Sequence, residues 1–367
     1  MAKVTTAMIA GMLGLGLLVA TGTLGFGQDA GQAELREAVR TEAGPATATE
    51  AGSATAAGQD RYVLDGDPAI YALAGRVEVV PGSSDRVEVV VELMGPDADR
   101  LSVDVVEVRG QNALVVRFPD DRIVFDRGVD GRGRTTMRVR DDGTWGGGMD
   151  LFGTDRVQIS TGGSGLEAWA SVRVEVPGGR DADVHVGAGS ITARGVSSDL
   201  FLDVSSGGID VVGHEGDVRA DTGSGEIRLV DVLGSIDADT GSGDITIDGV
   251  TGDAIALDTG SGDVRVLGAQ APEFSVDTGS GDVDMAVVGP VRTLEVDTGS
   301  GDVTVRFATE LDARVDIDTG SGGIDVDLAG LTTLQSERGE FSGVVGEGRG
   351  SVSIDTGSGG VRVLRGG

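Results

Sequence analysis

The string Asp-Thr-Gly-Ser-Gly occurs seven times in this chain of 367 residues, beginning at Asp221, Asp239, Asp258, Asp277, Asp297, Asp318 and Asp355. A carboxylate beside a hydroxyl and two glycines suits three kinds of chemistry. It could be the acid–base centre of an aspartic protease, where two aspartates share one proton. It could be a calcium turn, because the next residue is often a second aspartate and the backbone carbonyls are exposed oxygen ligands. It could equally be a tight corner between two strands, with glycine supplying the backbone freedom.

Spacing separates these readings. A protease needs one converging pair, whereas seven copies at regular intervals place equivalent aspartates in a row about 4.8 Å apart. Gly-Ser-Gly is not the Gly-x-Ser-x-Gly of a nucleophile elbow. With no cysteine and only His185 and His214, nucleophile–base pairs and histidine zinc sites have almost no raw material. A polysaccharide-acting enzyme built from surface Asp and Arg survives as an alternative, since Asp263 and Arg265, and Asp302 and Arg306, share outward positions. Calcium is the stronger competitor. One column would hold Asp239, Asp258, Asp277 and Asp297, and a second Asp244, Asp263, Asp282 and Asp302. Neighbours at that spacing repel by about 0.9 kcal/mol even in water, so solvation, raised pKa values, arginines or bound Ca²⁺ must relieve them. The opposite corners, such as "GVTGDA", "GAQAPE" and "VVGPVR", carry no comparable acidic edge.

The elements that position these aspartates follow from the period. Successive full units are separated by 18, 19, 19, 20, 21 and 37 residues. The gap of 37 is read as hiding a degenerate copy, "QSERGEF", at Gln335; "DVSSGGI" at Asp203 and "HVGAGSI" at His185 extend the register upstream, making ten copies. Repeats of this length denote a solenoid. Alternation puts Val283, Met285 and Val287 on one face and Asp282 and Asp284 on the other. Each unit thus contributes two short strands, and ten stacked coils would extend about 48 Å. The fold class is all-β: a flattened β-solenoid over 181–367, preceded by a β-rich region over 61–180 that caps it.

Within 61–180, "RVEVV-PGSSD-RVEVVVEL" and "LSVDVVEV-RGQN-ALVVRF" read as hairpins. Residues 126–155 form an extended loop or hairpin, and Trp145 is expected to fold back onto the apolar core. Residues 28–60 are Ala-, Thr-, Gly- and Glu-rich and read as a disordered linker. Residues 1–27 carry one lysine and then an apolar run, which reads as a signal peptide; the alternative is an anchor in the inner membrane through residues 8–26. The expected location is therefore exported, in the periplasm or at the cell surface.

Composition narrows the partners. A formal charge of −31 excludes nucleic acid and anionic lipid surfaces, and only 3% of the residues are aromatic, so the core must be aliphatic. The absence of cysteine removes disulfides and thiolate metal sites.

The repeated "DTGSGDV", preceded by "VRVEVPGGRDADVHVGAGSI" at 172–191, resembles the bacterial putative-adhesin family, a domain of unknown function. The resemblance covers residues 61–367 and implies an exported adhesin-like β-solenoid with no established activity and no cofactor. The expected function is non-catalytic: sheet faces presented to a cell-envelope polymer or protein partner. A calcium-responsive binding module using the stacked Asp edge is the alternative. Self-association through an open C-terminal coil is a further expectation.

Overall fold

The computed structural model describes residues 58–125, 134–146 and 154–366. The expected signal peptide, the linker up to residue 57 and parts of the 126–155 loop lie outside the described residues. Those described all belong to one compact unit spanning Ala48–Gly367, and none forms a helix long and apolar enough to cross a membrane.

Twenty-five strands join in one continuous hydrogen-bonded network. It is the flattened solenoid expected from the repeats, with two long faces around a single aliphatic core. Each coil lays one strand on each face. In the Asp277 coil these are Glu273–Thr278 and Val283–Val287. Phe274, Val276, Val283 and Met285 point inward and are buried, while Ser275, Asp277 and Asp284 point outward. Coils stack in parallel, so that Asp258, Asp277 and Asp297 lie side by side. We call the face that carries them the Asp face and its opposite the mixed-charge face.

The stack begins earlier than the repeats suggest. Ala69–Pro81 and Ala182–Arg194 are continuous 13-residue strands that cross from one face to the other. They turn the corner at Gly75 and Gly189, whose φ angles are +145° and +143°. A Cβ on Gly189 would lie 1.6 Å from the Gly75 carbonyl oxygen, and one on Gly75 would lie 1.9 Å from the Ala170 carbonyl oxygen, so each layer nests on the next only because its corner residue has no side chain. Beyond this layer the Asp face continues through Gln111–Arg117 to Ser102–Val108. The mixed-charge face continues through Trp169–Val176 and Val87–Met94 to Asp60–Leu64. The amino-terminal region therefore extends both faces.

At the other end the chain leaves sequence order, and the expectation for Gln335 is corrected. The Asp297 coil pairs with the Asp355 coil, which in turn pairs with the Asp318 coil. Residues 350–365 are thus inserted between two coils that precede them in the chain. The degenerate copy is no coil: Leu331–Glu337 and Glu340–Val345 form an antiparallel hairpin laid beside Ala313–Thr319. It lacks the threonine and the paired glycines that a stacked corner requires. Asp312 pins the crossing segment, accepting the Glu347 and Arg349 amides at 2.8 and 3.3 Å and the Arg349 guanidinium at 2.5 Å. The coil expected to be open lies inside the stack. The terminal edge on the mixed-charge face is Ile324–Asp327 instead.

A second, four-stranded sheet (Arg122–Val124, Arg134–Arg140, Thr154–Ser160 and Leu166–Glu167) forms a separate small core with Tyr71, Leu73, Ala113, Val115 and Ala188. Trp145 belongs to this core and is 5% exposed, as the folded-back reading expected.

Candidate functional site

The threonine, the second glycine and the last aspartate of Asp-Thr-Gly-Ser-Gly-Asp each have a distinct task in stacking. The threonines point inward and are buried. Each donates its hydroxyl to a glycine carbonyl of the preceding layer: Thr240 to Gly225 at 3.2 Å, Thr259 to Gly243 at 3.0 Å, Thr278 to Gly262 at 3.2 Å. The order of the last layers is written in the same bonds, with Thr356 reaching Gly301 and Thr319 reaching Gly359. The second glycine makes the closest approach. A Cβ on Gly262, Gly281 or Gly301 would sit 1.9 Å from the carbonyl oxygen of the glycine one layer back. The intervening serines face solvent.

The two aspartate columns named from sequence both exist, and they differ. In the second, each carboxylate accepts a backbone amide from the next coil. Asp263 N–H donates to Asp244 at 2.9 Å, Asp282 to Asp263 at 2.9 Å, Asp302 to Asp282 at 2.8 Å, and Gly360 to Asp302 at 2.7 Å. One oxygen per residue is thereby committed to holding layers together. The first column, containing Asp239, Asp258, Asp277 and Asp297, is outward on the Asp face. Burial, and then the flanking carboxylates, push Asp221, Asp258 and Asp355 above the usual aspartate range. The threonine–glycine corner keeps the columns apart, and among the described residues no group of three or more acidic or histidine side chains is placed to hold a metal.

A further ladder escaped the sequence reading. At the opposite corner of the first layers, Asp67, Asp181, Asp199 and Asp217 accept amides from Asp181, Asp199, Asp217 and Ser235 in turn. Its signal was the 18-residue spacing of Asp181, Asp199 and Asp217. Beside it, His214 is 1% exposed, and burial lowers its pKa below the ordinary 6.5.

The faces differ in charge. On the mixed-charge face one column reads Thr192, Asp210, Arg228, Thr246, Arg265, Asp284, Thr304, Arg362, Asp325 across the layers. Asp210 bridges Arg194 and Arg228 at 3.0 Å each, and Asp284 pairs with Arg306. A hollow of about 800 Å³ opens there, where Ser190, Gly208 and Glu226 replace the ladder aspartate. On the Asp face the first column starts with Tyr71 and His185, stacked at 4.4 Å, and then becomes aspartate from Asp203 onward. His185 Nδ1 lies 2.9 Å from an Asp203 oxygen. Phe201 packs edge-on against His185, and Arg219 lies over Phe201. The two histidines are thus both enclosed, one within the aromatic cluster and one in the core, and they do not meet.

A family model described as Toastrack DUF4097 matches residues 126–364. The chain belongs to that family. The Toastrack match runs from the four-stranded sheet to the last strand of the inserted coil, in keeping with the domain of unknown function expected from "DTGSGDV". Three solved structures are similar to it in part. A "putative adhesin" from Bacteroides fragilis is 9% identical, with a TM-score of 0.32 over 83% of this chain and 96% of that one. A "putative adhesin" from Parabacteroides distasonis is 12% identical, with a TM-score of 0.31 over 83% and 95%. A "putative cell adhesion protein" from Clostridium sporogenes is 9% identical, with a TM-score of 0.19 over 84% and 99%. No curated protein matches this Toastrack chain.

Proposed function

We propose that the chain is an exported, non-catalytic, adhesin-like scaffold whose Asp face meets a cell-envelope polymer or protein partner. One observation carries this reading: the reactive-looking groups of the repeated motif are spent on stacking. Threonine hydroxyls and second-column carboxylates bind the neighbouring coil, which leaves the flat faces as the chemistry on offer. A rigid row of carboxylates suits a partner with regularly spaced cationic or hydroxyl groups, because the row needs no ordering when it binds. Export is the reading of residues 1–27, and periplasmic or surface fractionation of the expressed protein checks it.

The test is co-sedimentation of the full chain with isolated envelope polymer, beside a variant carrying Asp258→Asn, Asp277→Asn and Asp297→Asn. Retention that falls in the variant is expected. Equal retention moves the contact off the Asp face, and release of shortened polymer makes the chain an enzyme. Calcium is decided separately by melting. The like-charged first column favours any counterion, so Ca²⁺ and Mg²⁺ are expected to raise the melting temperature alike. A rise with Ca²⁺ that Mg²⁺ does not reproduce replaces the present reading with the calcium edge.

A further inference from the structure

The strand Ile324–Asp327 ends the mixed-charge face, pairing on one side only, with Val361–Arg365. Its inward residues, Ile324 and Val326, are half-exposed, whereas the equivalent Val303, Val305, Val361 and Val363 are fully buried. Its outward residues, Asp325 and Asp327, are exposed and make no ion pair among the described residues. Beside its carboxyl end lies a hollow of about 340 Å³ lined by Phe307, Leu311, Leu328, Val345 and Arg365. An uncovered edge of this kind offers a row of unpaired amides and carbonyls.

The other three ends of the twenty-five-stranded sheet carry a bulge or an ion pair. Leu331–Glu337 is interrupted by a bulge between Thr333 and Gln335. Ser102–Val108 has Asp104 paired with Arg117 at 3.0 Å, and Asp60–Leu64 has Arg61 paired with Glu88.

The chain itself shows what fits Ile324–Asp327. On its paired side Ile324 lies beside Val361, Asp325 beside Arg362 and Val326 beside Val363. Aliphatic residues therefore face the core, and a cation sits next to the carboxylate. A segment added on the free side would meet the same demands, with two carboxylates to satisfy. A second copy of this chain does not meet them, since edge-to-edge pairing sets Asp325 and Asp327 against their own equivalents.

We propose that Ile324–Asp327 is a docking strand for an extended segment of a partner protein that alternates aliphatic and basic residues, joining the mixed-charge face by strand addition. The backbone supplies affinity and the alternating side chains specify the partner. This surface is separate from the Asp face, and the proposal stands whether or not that face binds a polymer.

The experiment titrates the full chain with labelled peptides. One alternates Val and Lys, a second alternates Val and Glu, and a third keeps the lysines of the first but has proline in place of two valines. Because the chain carries −31 charges, the proline peptide reports attraction that does not involve strand pairing. The Val-Lys peptide is expected to bind best. Asp325→Lys/Asp327→Lys is expected to weaken it about tenfold and shift preference to the Val-Glu peptide. Asp85→Lys/Asp99→Lys, with the same change of net charge elsewhere, is expected to leave the preference intact. Binding of the proline peptide as tight as the Val-Lys peptide overturns the proposal. So does equal loss in the two double variants, absence of binding, or a dimer of the free chain that Asp325→Lys/Asp327→Lys abolishes.

Discussion

At the Asp-Thr-Gly-Ser-Gly corner every coil has one length: the mixed-charge strand begins six residues after the aspartate at Ile227, Ile245, Val264, Val283 and Val303 alike. The variation that turns an 18-residue repeat into one of 21 falls beyond that corner, at the opposite corner and in a bulge between Val266 and Ala269. The cause lies in what each corner bonds to. At the motif corner hydroxyl, carboxylate and carbonyl groups are matched layer by layer, with glycines at 1.9 Å clearances that admit no side chain. At the opposite corner of the later coils, turns such as "GAQAPE" and "VVGPVR" carry no such run of carboxylate bonds. Repetition in this protein marks where neighbouring layers read each other, not where an external ligand is read.

The sharpest way to break that contrast is to lengthen each corner by one glycine. Inserted between Ser280 and Gly281, it displaces the following strand by one residue and turns its apolar side chains outward. Loss of more than about 4 kcal/mol of stability in denaturant unfolding is expected. Inserted after Gln270, the same residue is expected to cost about 1 kcal/mol or less. Comparable losses would erase the distinction between corners. A point change gives the next effect in size. Gly281→Ala forces backbone against backbone and is expected to cost about 3 kcal/mol, measured by the urea midpoint. Gly323→Ala, where an added Cβ meets nothing within 4 Å, serves as its partner and is expected to be near neutral.

Thr259→Val keeps the shape but leaves the Gly243 carbonyl without its donor, an expected loss of about 1–2 kcal/mol; Thr259→Ser should recover much of it. The smallest effects are in pH. Asp258 has a raised pKa in the folded chain, so folding favours its protonated form; its stabilising contribution is present at acid pH and lost as pH rises through the folded value. Asp258→Asn is therefore expected to melt higher than the parent at pH 7, with the difference vanishing near the ordinary carboxylate pKa of about 4. His214 runs the other way. Its lowered pKa makes stability fall as pH drops through the ordinary value of 6.5, and His214→Val should flatten that part of the profile. Melting curves across this range separate the two groups.

Much of this was legible because the motif is its own ruler. Spacing located the coils, and alternation placed Val283, Met285 and Val287 inside and Asp284 outside. The order of the final layers was hidden for the same reason: identical corners stack equally well on one another, so nothing in "DTGSG" distinguishes a neighbour in sequence from one in space. The visible clue was what "QSERGEF" lacks. The layer at Ala69–Pro81 escaped because it reaches the same backbone path with one well-placed glycine, Gly75, and none of the motif's hydroxyls. At the candidate site, the columns could be drawn from sequence, but the amide bonds to Asp244, Asp263 and Asp282 depend on a corner geometry that residue types do not reveal.

The inserted coil sets the timetable of assembly. Residues 313–327 leave the ribosome before 350–365, yet their lasting neighbours are those later residues. The Ala69–Pro81 layer already waits for Trp169–Val176 and Ala182–Arg194, and from Ala182 a growing chain can add layers one at a time only as far as Phe307. From there the Asp318 coil must wait, or settle against the Asp297 coil and be prised away again. Completion pairs Asp297 with Asp355, 58 residues on, where the layer before it pairs Asp277 with Asp297, 20 residues on, and is expected to be the slower of the two steps. Until it happens, the far end of the stack is unfinished.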